Sequence, residues 1–266
     1  MNKSMLSGQE LYIKKLKQRK NLIQFLRFLI LFQFLIMWEI LVRCGVIDGF
    51  FFSSPTRIIN CMKEMFISGE LITHILTTLT ETLVSFSLVT LLSLLLASIF
   101  WASSFLSDVF EPYLIILNSL PKSALAPLFI VWLGSGIKTI IVAGISVAVF
   151  GSVVTITSGF LTTDADRVKL VRTLGGTKWD IFQKVVLPGA LPMLLSCTKV
   201  NIGLSLVGVV IGEFLASRQG LGYLIIYGSQ VFKLDMVITS ILILCAISML
   251  LYFGLQKTEQ LLQKMR

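Results

Sequence analysis

The chain has 266 residues, of which 55% are hydrophobic and 14% charged, and its formal net charge is +9. Soluble domains carry about 25% charged residues, so this composition excludes an ordinary soluble protein and indicates a polytopic membrane protein. The positive charge does not indicate a nucleic-acid partner, because the basic residues collect in particular segments between apolar runs. The four cysteines and the single His74 show no metal-ligand spacing, and we expect this chain to bind no cofactor and no metal.

Six apolar runs are each long enough to cross a membrane, which takes about 20 residues per helix. The first run is longer than a signal-peptide core and has no cleavage site, so we predict a retained span. The predicted fold is all-α, with a basic segment at residues 1–21 and a polar tail at residues 256–266. The predicted spans are 22–42, 72–99, 112–133, 138–160, 191–214 and 234–255.

The distribution of Lys and Arg predicts the orientation of these spans. With the N-terminus inside, the inner segments hold 15 basic residues and the outer segments hold 6. Cytoplasmic loops are enriched in Lys and Arg, so both termini are predicted to be cytoplasmic.

Between the first two spans, Ser54-Pro55 has the sequence of a helix start. Apolar residues then recur at helical spacing until Gly69, which predicts an amphipathic helix at the outer interface.

The third and fifth spans contain unusual residues. Pro121 and Pro127 are predicted to break or bend the third span, and Lys122 beside them is costly to bury in lipid. For Lys122 three interpretations are open: it lines a membrane-embedded path or cavity, it pairs with an acid of another span, or its ammonium snorkels to the interface. In the fifth span Gly208 and Gly212 form a small-xxx-small pair suited to close helix contact, and Glu213 follows at once.

The longest charged segment between spans, residues 163–192, is predicted to form two short helices folded against each other. Thr163 with Asp166 and Thr177 with Asp180 each match a capping box, and Gly175-Gly176 lies between them. Pro188 and Pro192 are expected to reset the chain as it enters the next span. This segment is interpreted as a docking surface for a soluble partner.

The sequence of this segment resembles the cytoplasmic signature loop of ATP-binding-cassette importer permeases. The resemblance rests on Arg172–Gly176, on Phe182 and on the run Val185–Pro192, although Lys169-Leu170-Val171 stands where that family has Glu-Ala-Ala. Residues 120–136 and 213–225 resemble two further motifs of the nitrate, sulfonate and taurine branch, which also includes importers of thiamine precursors.

The resemblance implies a type I importer permease of the bacterial cytoplasmic membrane, with residues 161–190 as the loop that couples to the ATPase. Its partners would be ATPase subunits, an extracytoplasmic binding protein, membrane lipid, and a second permease that is identical or related. The solute would be small and anionic or heterocyclic, with Lys122 and Glu213 as candidate path residues. The ATPase-docking residues would be Lys169, Leu170, Val171, Leu174, Gly175, Gly176, Trp179 and Phe182.

Two other classes of function compete with this one. An ion-coupled secondary transporter would use Lys122, Glu81 and Glu213 as a relay, but the inverted repeat typical of such folds is not evident in the sequence. An intramembrane enzyme lacks a nucleophile–base pair of credible spacing. The chain also lacks a phosphate-binding G-x-x-x-x-G-K-[ST] motif, so we predict that it is not an enzyme and that a partner hydrolyses ATP.

Overall fold

The computed structural model describes residues 8–264, with the side chains of residues 12, 13 and 15–261. Residues 1–7 of the predicted basic segment and residues 265–266 of the predicted tail lie outside the described residues. Within the described range every regular element is helical. The helices are α1 (Gly8–Arg43), α2 (Gly49–Phe52), α3 (Pro55–Ile67), α4 (Glu70–Ala102), α5 (Ser104–Ser119), α6 (Lys122–Leu133), α7 (Ile137–Leu161), α8 (Ala165–Thr173), α9 (Lys178–Ile181), a π-helical segment (Phe182–Val186), α10 (Leu187–Ala216), α11 (Leu221–Gln230) and α12 (Leu234–Lys264).

The chain divides into two compact units, Met1–Cys61 and Met62–Arg266. In the first unit Glu39, near the end of α1, accepts hydrogen bonds from the backbone N–H of Thr56 at 3.1 Å and from its hydroxyl at 2.8 Å. The carboxylate therefore satisfies one of the free amides at the start of α3. Asp48 caps α2 by accepting the Phe50 N–H at 2.8 Å. The predicted helix start at Pro55 is confirmed.

Five of the predicted spans correspond to single helices that extend beyond the predicted bounds: α1, α4, α7, α10 and α12. In the described residues five helices are long and apolar enough to cross a membrane, or six when α5 and α6 together count as one span. Helix α12 continues through residues 256–264 of the predicted tail.

The third predicted span is not one helix. Helices α5 and α6 meet at an angle of 96°. Leu120 is extended (φ −63°, ψ 139°) because the ring of Pro121 disfavours a helical conformation in the residue before it. The predicted break is therefore confirmed at Pro121, whereas Pro127 lies inside α6 without ending it.

The prediction that Pro188 and Pro192 redirect the chain is wrong. The chain is helical without interruption from Lys178 to Ala216, and Pro188 is the second residue of α10. The wider winding of the π segment precedes this proline, and Leu187 N–H bonds to the Phe182 carbonyl five residues earlier. The wider winding accommodates Pro188, and Pro192 lies inside α10 without ending it.

The second unit is built around α7, which packs against both α4 and α10. Glycine makes the α7–α10 approach possible, because a Cβ at Gly208 would lie 2.7 Å from the Gly144 Cα and one at Gly212 would lie 2.9 Å from the Ile140 Cα. The predicted close contact through this small-xxx-small pair is thus confirmed.

Candidate functional sites

The 161–190 loop begins with a cap that differs from the predicted one. Asp164, not Thr163, caps α8, and its carboxylate accepts the Asp166 N–H at 3.0 Å. The Thr163 hydroxyl instead donates to the Phe160 carbonyl at 2.9 Å, at the end of α7. A carboxylate two residues ahead of a free amide can form the same cap as a hydroxyl, and here it does.

The Gly175-Gly176 turn closes α8 in a Schellman motif. Gly176 N–H donates to the Val171 carbonyl at 2.9 Å, and Gly175 N–H donates to the Arg172 carbonyl at 3.1 Å. Gly175 has a φ of +81°, which confirms the predicted need for a left-handed residue. A Cβ at Gly175 would meet nothing within 4 Å, whereas one at Gly176 would lie 2.8 Å from the Val171 carbonyl oxygen.

Helix α9 begins with the predicted capping box. The Thr177 hydroxyl accepts the Asp180 N–H at 3.2 Å, and the Asp180 carboxylate accepts the Thr177 N–H at 3.0 Å. Lys184 donates to the same carboxylate at 2.8 Å. The loop is therefore fixed locally at both helix starts and at the turn between them.

An aromatic cluster anchors the loop to the ends of the long helices. Phe182 is buried, and its ring centroid lies 5.1 Å from that of Trp101, 5.5 Å from that of Phe160 and 5.7 Å from that of Trp179. Phe182 was predicted among the docking residues, but the structure places it inside the chain, beneath the loop surface. Val171 is partly buried and packs against the same cluster.

Three other predicted docking residues form an exposed apolar patch. Leu170 is 59% exposed, Leu174 is 79% exposed and Trp179 is 64% exposed. Large apolar side chains at such exposure on a well-capped segment are typical of an interaction surface. Lys169 is also exposed, with its ammonium 3.8 Å from the Asp166 carboxylate.

A cavity of about 420 Å³ lies between the loop and the helix ends. Its wall includes three basic residues, Lys169, Arg172 and Lys178, together with Trp101 and Phe160. Among the described residues neither Arg172 nor Lys178 has an ion pair, so this side of the loop has an excess of positive charge.

Lys122 is held at the break between α5 and α6. Its ammonium donates to the Leu117 carbonyl and lies 5.4 Å from the centre of the Phe150 ring. The amine therefore neutralises the carbonyl end of α5, where the helix dipole is negative. Neither contact is the pair with an acid that was one of the expectations for this residue.

Glu213, the other predicted path residue, lies where α4, α10 and the start of α11 meet, at the end of the helices away from the 161–190 loop. We call this buried region the Glu213 corner. It is 1% exposed, and its carboxylate accepts hydrogen bonds from the Thr78 hydroxyl at 2.6 Å and from the Gly222 N–H at 2.5 Å. The Thr78 hydroxyl in turn accepts the Leu221 N–H at 2.8 Å. These bonds satisfy the first free amides of α11, the helix that the sequence did not predict.

The turn before α11 leaves no room for a side chain. Gly220 has a φ of +108°, and a Cβ there would overlap the carboxyl group of Glu213. Its N–H donates to His74 Nδ1 at 2.9 Å, and the His74 ring stacks on Tyr223 with centroids 6.1 Å apart. His74 is therefore a structural residue of this corner.

A cavity of about 810 Å³ opens beside the corner. It lies between the start of α4, the start of α7 and the end of α10, at the end of the bundle away from the 161–190 loop. Glu81 is part of its wall and is 3% exposed. The cavity wall also includes Thr73, Thr77, Thr80, Ser217 and Arg218.

Two contacts were missed at the sequence level. Lys199 forms an ion pair with Glu259 that ties α10 to α12, and the only sequence signal was a lone cation inside an apolar run. The Glu213–Gly222 bond was also missed, although a Glu followed by two glycines at offsets of seven and nine is a specific pattern.

The family model described as "Binding-protein-dependent transport system inner membrane component" matches residues 89–260. That range contains the 161–190 loop, the broken third span and Glu213. The chain belongs to this family. The permease is thus a multi-pass protein of the cytoplasmic membrane and a non-enzymatic transport component, and ATP hydrolysis belongs to a separate subunit.

Curated relatives agree on the general class and differ in the solute they name. The permease is 30% identical over 222 residues to a probable ABC transporter permease protein of Haemophilus influenzae, with 83% of this chain and 89% of that one covered. It is 27% identical to the putative aliphatic sulfonates transport permease protein SsuC of Bacillus subtilis, with coverage of 86% and 83%. It is also 27% identical to the formylaminopyrimidine transport permease protein ThiX of Halalkalibacterium halodurans, with coverage of 86% and 90%.

The fold matches solved importer structures. A chain from the inward-facing MetNI methionine ABC transporter aligns with a TM-score of 0.63 at 21% identity, covering 71% of this chain and 94% of that chain. The permease therefore has the type I importer permease fold that the sequence predicted. Within residues 8–264 no group of three or more His, Cys, Asp or Glu side chains is placed to hold a metal ion.

Proposed function

We propose that this permease forms the translocation path for a small anionic or heterocyclic solute, delivered by a binding protein and driven by ATPase subunits that dock on the 161–190 loop. The exposed patch of Leu170, Leu174 and Trp179 is the observation that carries the proposal. Leu170 and Trp179 lie on helices with capped starts, and Leu174 lies at the C-cap of α8 in the closing turn, so the patch is preorganised for a partner.

ATP binding would bring the two ATPase subunits together and draw the two loops of a permease pair with them. The second permease is a copy of this chain or a related one, and both would share the path. The loop transmits this motion because Phe182 packs its aromatic ring against the ends of α4 and α7. No bond chemistry is required of the permease itself.

Docking is tested by co-purification of the ATPase with Leu174→Ala and Trp179→Ala. Exposed aromatic anchors often contribute 2 kcal/mol or more at interfaces, so Trp179→Ala should reduce ATPase recovery about tenfold or more. Ile67→Ala is the control, because Ile67 is 84% exposed but belongs to α3. Undiminished recovery with both loop variants would remove the loop from the docking surface.

Cytoplasmic placement of both termini and of the loop is part of the same proposal, supported by the excess of Lys and Arg on that side. Lipid would surround the bundle. Reporter tags at residues 1 and 266 should both report inside, and a tag between Ser217 and Lys233 should report outside. A tag near Ser104 that reports outside would contradict the six-span arrangement.

Lys122 is proposed to lie near the path, because its position at a break in the helix suits a wet cavity better than lipid. Transport by Lys122→Met should fall while the complex still assembles. If transport is unchanged, the role of the Lys122 amine is limited to its contacts with Leu117 and Phe150.

The path role of Glu213 stays a prediction that its burial does not favour. The ion-coupled alternative gains no support, since Lys122 makes its contacts at α5 and α7 rather than with either acid.

A further inference from the structure

We infer that the cavity of about 810 Å³ beside Glu81 binds a solute that donates hydrogen bonds through its own N–H groups. Such a group is an amine, an amidine or a ring amino group. This inference rests on the proposed function, because the bound solute would be one that the permease carries. It narrows the solute from any small anion or heterocycle to one that bears such a nitrogen. The volume suits a small molecule, since ligand cavities measure about 300–1,000 Å³.

The α4 wall of the cavity offers acceptors and has no free hydroxyl proton. The Thr77 hydroxyl donates to the Thr73 carbonyl at 2.9 Å, and the Thr80 hydroxyl donates to the Leu76 carbonyl at 2.7 Å. The Thr73 hydroxyl donates likewise to the Gly69 carbonyl at 3.3 Å. Each hydroxyl has one proton and two lone pairs, so the oxygens that face the cavity can accept hydrogen bonds but cannot donate them.

Glu81 adds a carboxyl oxygen as a further acceptor. Its Oε2 is buried and receives no hydrogen bond from any donor in the described part of the chain. Its carboxyl group lies within hydrogen-bonding reach of Glu213, which already accepts bonds from Thr78 and Gly222. A buried acceptor without a donor is costly, and an N–H group of a solute would supply the missing bond.

The mouth of the cavity carries a positive charge, in contrast to the acceptors of the α4 wall. Arg218 is exposed at its edge and has neither an ion pair nor a hydrogen bond to the described residues. A solute with its nitrogen at Glu81 can therefore carry an oxyanion toward Arg218. An aminosulfonate supplies both the nitrogen donor and the oxyanion, and an aminopyrimidine supplies the nitrogen donor alone. A simple alkanesulfonate lacks the nitrogen donor.

The test uses the assembled permease–ATPase complex in lipid nanodiscs and two matched probe pairs. Taurine is compared with ethanesulfonate, and 4-aminopyrimidine is compared with pyrimidine, each at millimolar concentration. At least one amino-bearing probe should raise the unfolding temperature of the permease by about 2 °C or more, because a ligand of the folded state stabilises it. The amino-free partner of that probe should have no such effect. Equal shifts within both pairs, or no shift with any probe, would overturn the inference.

Variants then locate the effect. Thr77→Val removes one acceptor without changing shape, and Glu81→Leu removes the carboxyl group; both should abolish the amino-dependent shift. Glu81→Gln should retain it, because the amide offers an oxygen to the cavity and an N–H to Glu213. Glu70→Gln is the control on the same helix, outside the cavity wall. A shift that survives Thr77→Val and Glu81→Leu would place binding elsewhere.

The same samples separate this inference from the proposed function. Bound ATPase is quantified in each one before the probes are added. An assembled complex without an amino-dependent shift contradicts the inference alone. Failure of the wild-type permease to retain any ATPase contradicts the proposed function.

Discussion

Two glycine turns at opposite ends of the bundle, at Gly175 and Gly220, share a left-handed backbone but have opposite surroundings. Gly175 has a φ of +81° and open space where a Cβ would be, on an exposed loop. Gly220 has a φ of +108° and the Glu213 carboxyl group in that place. The first turn lies at the surface, and the second closes a buried corner inside the chain.

This difference shows that a positive φ alone does not identify the structural role of a glycine. At Gly175 the chain itself would accept a side chain at the cost of backbone strain only. At Gly220 a side chain would also displace a buried carboxylate from its hydrogen bonds. Substitution should therefore separate an effect on assembly from an effect on stability.

The largest expected effect is that of Gly220→Ala on stability. The alanine would add backbone strain of about 1–2 kcal/mol, and each buried hydrogen bond that it breaks would cost about 1–3 kcal/mol more. The free energy of unfolding should therefore fall by about 3 kcal/mol or more. The unfolding temperature of the purified permease should fall by about 6 °C or more. Gly175→Ala is the matched control and should lose only the strain, or about 2–4 °C. Equal losses would show that the Glu213 carboxylate does not depend on Gly220.

Gly175→Asp should have a smaller effect on stability and a clear effect on assembly. The side chain enters space that is open in the free permease but that a docked ATPase would occupy. Membrane insertion should be normal, while co-purified ATPase and coupled transport are lost. Gly69→Asp is the control, because Gly69 has a φ of +77° and equally open space but lies between α3 and α4. Full ATPase recovery with Gly175→Asp, or the same loss with Gly69→Asp, would contradict a docking role for this turn.

The smallest effect is expected at Lys169. Its 3.8 Å pair with Asp166 is exposed, and exposed charges contribute about 0.2–1 kcal/mol. Lys169→Glu should therefore weaken ATPase association about two- to fivefold at low salt, by removing positive charge beside Arg172 and Lys178. Lys63→Glu on α3 serves as the control. Tighter association with Lys169→Glu would show that the partner prefers an acid at this position.

Local sequence signals predicted most of the loop. The Thr177–Asp180 box and the left-handed Gly175 follow from side-chain spacing and backbone freedom, so both are visible in a one-dimensional pattern. The cap at α8 was assigned to Thr163 instead of Asp164, because both residue types satisfy the same amides. The proline prediction at Pro188 was wrong because the π segment that accommodates it has no sequence signature.

The Glu213 corner was much less predictable. Its bonds join residues 135 and 143 positions apart, from Thr78 to Glu213 and from Leu221 to Thr78. Such pairs depend on how α4 and α10 pack and not on local spacing. The sequence identified Glu213 as unusual, but only the fold shows that its carboxylate caps α11.

The uninterrupted helix from Lys178 to Ala216 has a mechanical consequence. It has 39 residues, and at 1.5 Å per residue it is a rod of about 58 Å. One end lies inside the 161–190 loop, and Glu213 is three residues from the other. The chain is helical throughout this range, so the loop and the far end belong to one continuous helix. The loop and the Glu81 cavity thus lie at opposite ends of one continuous helix, and this connection limits how independently they can move.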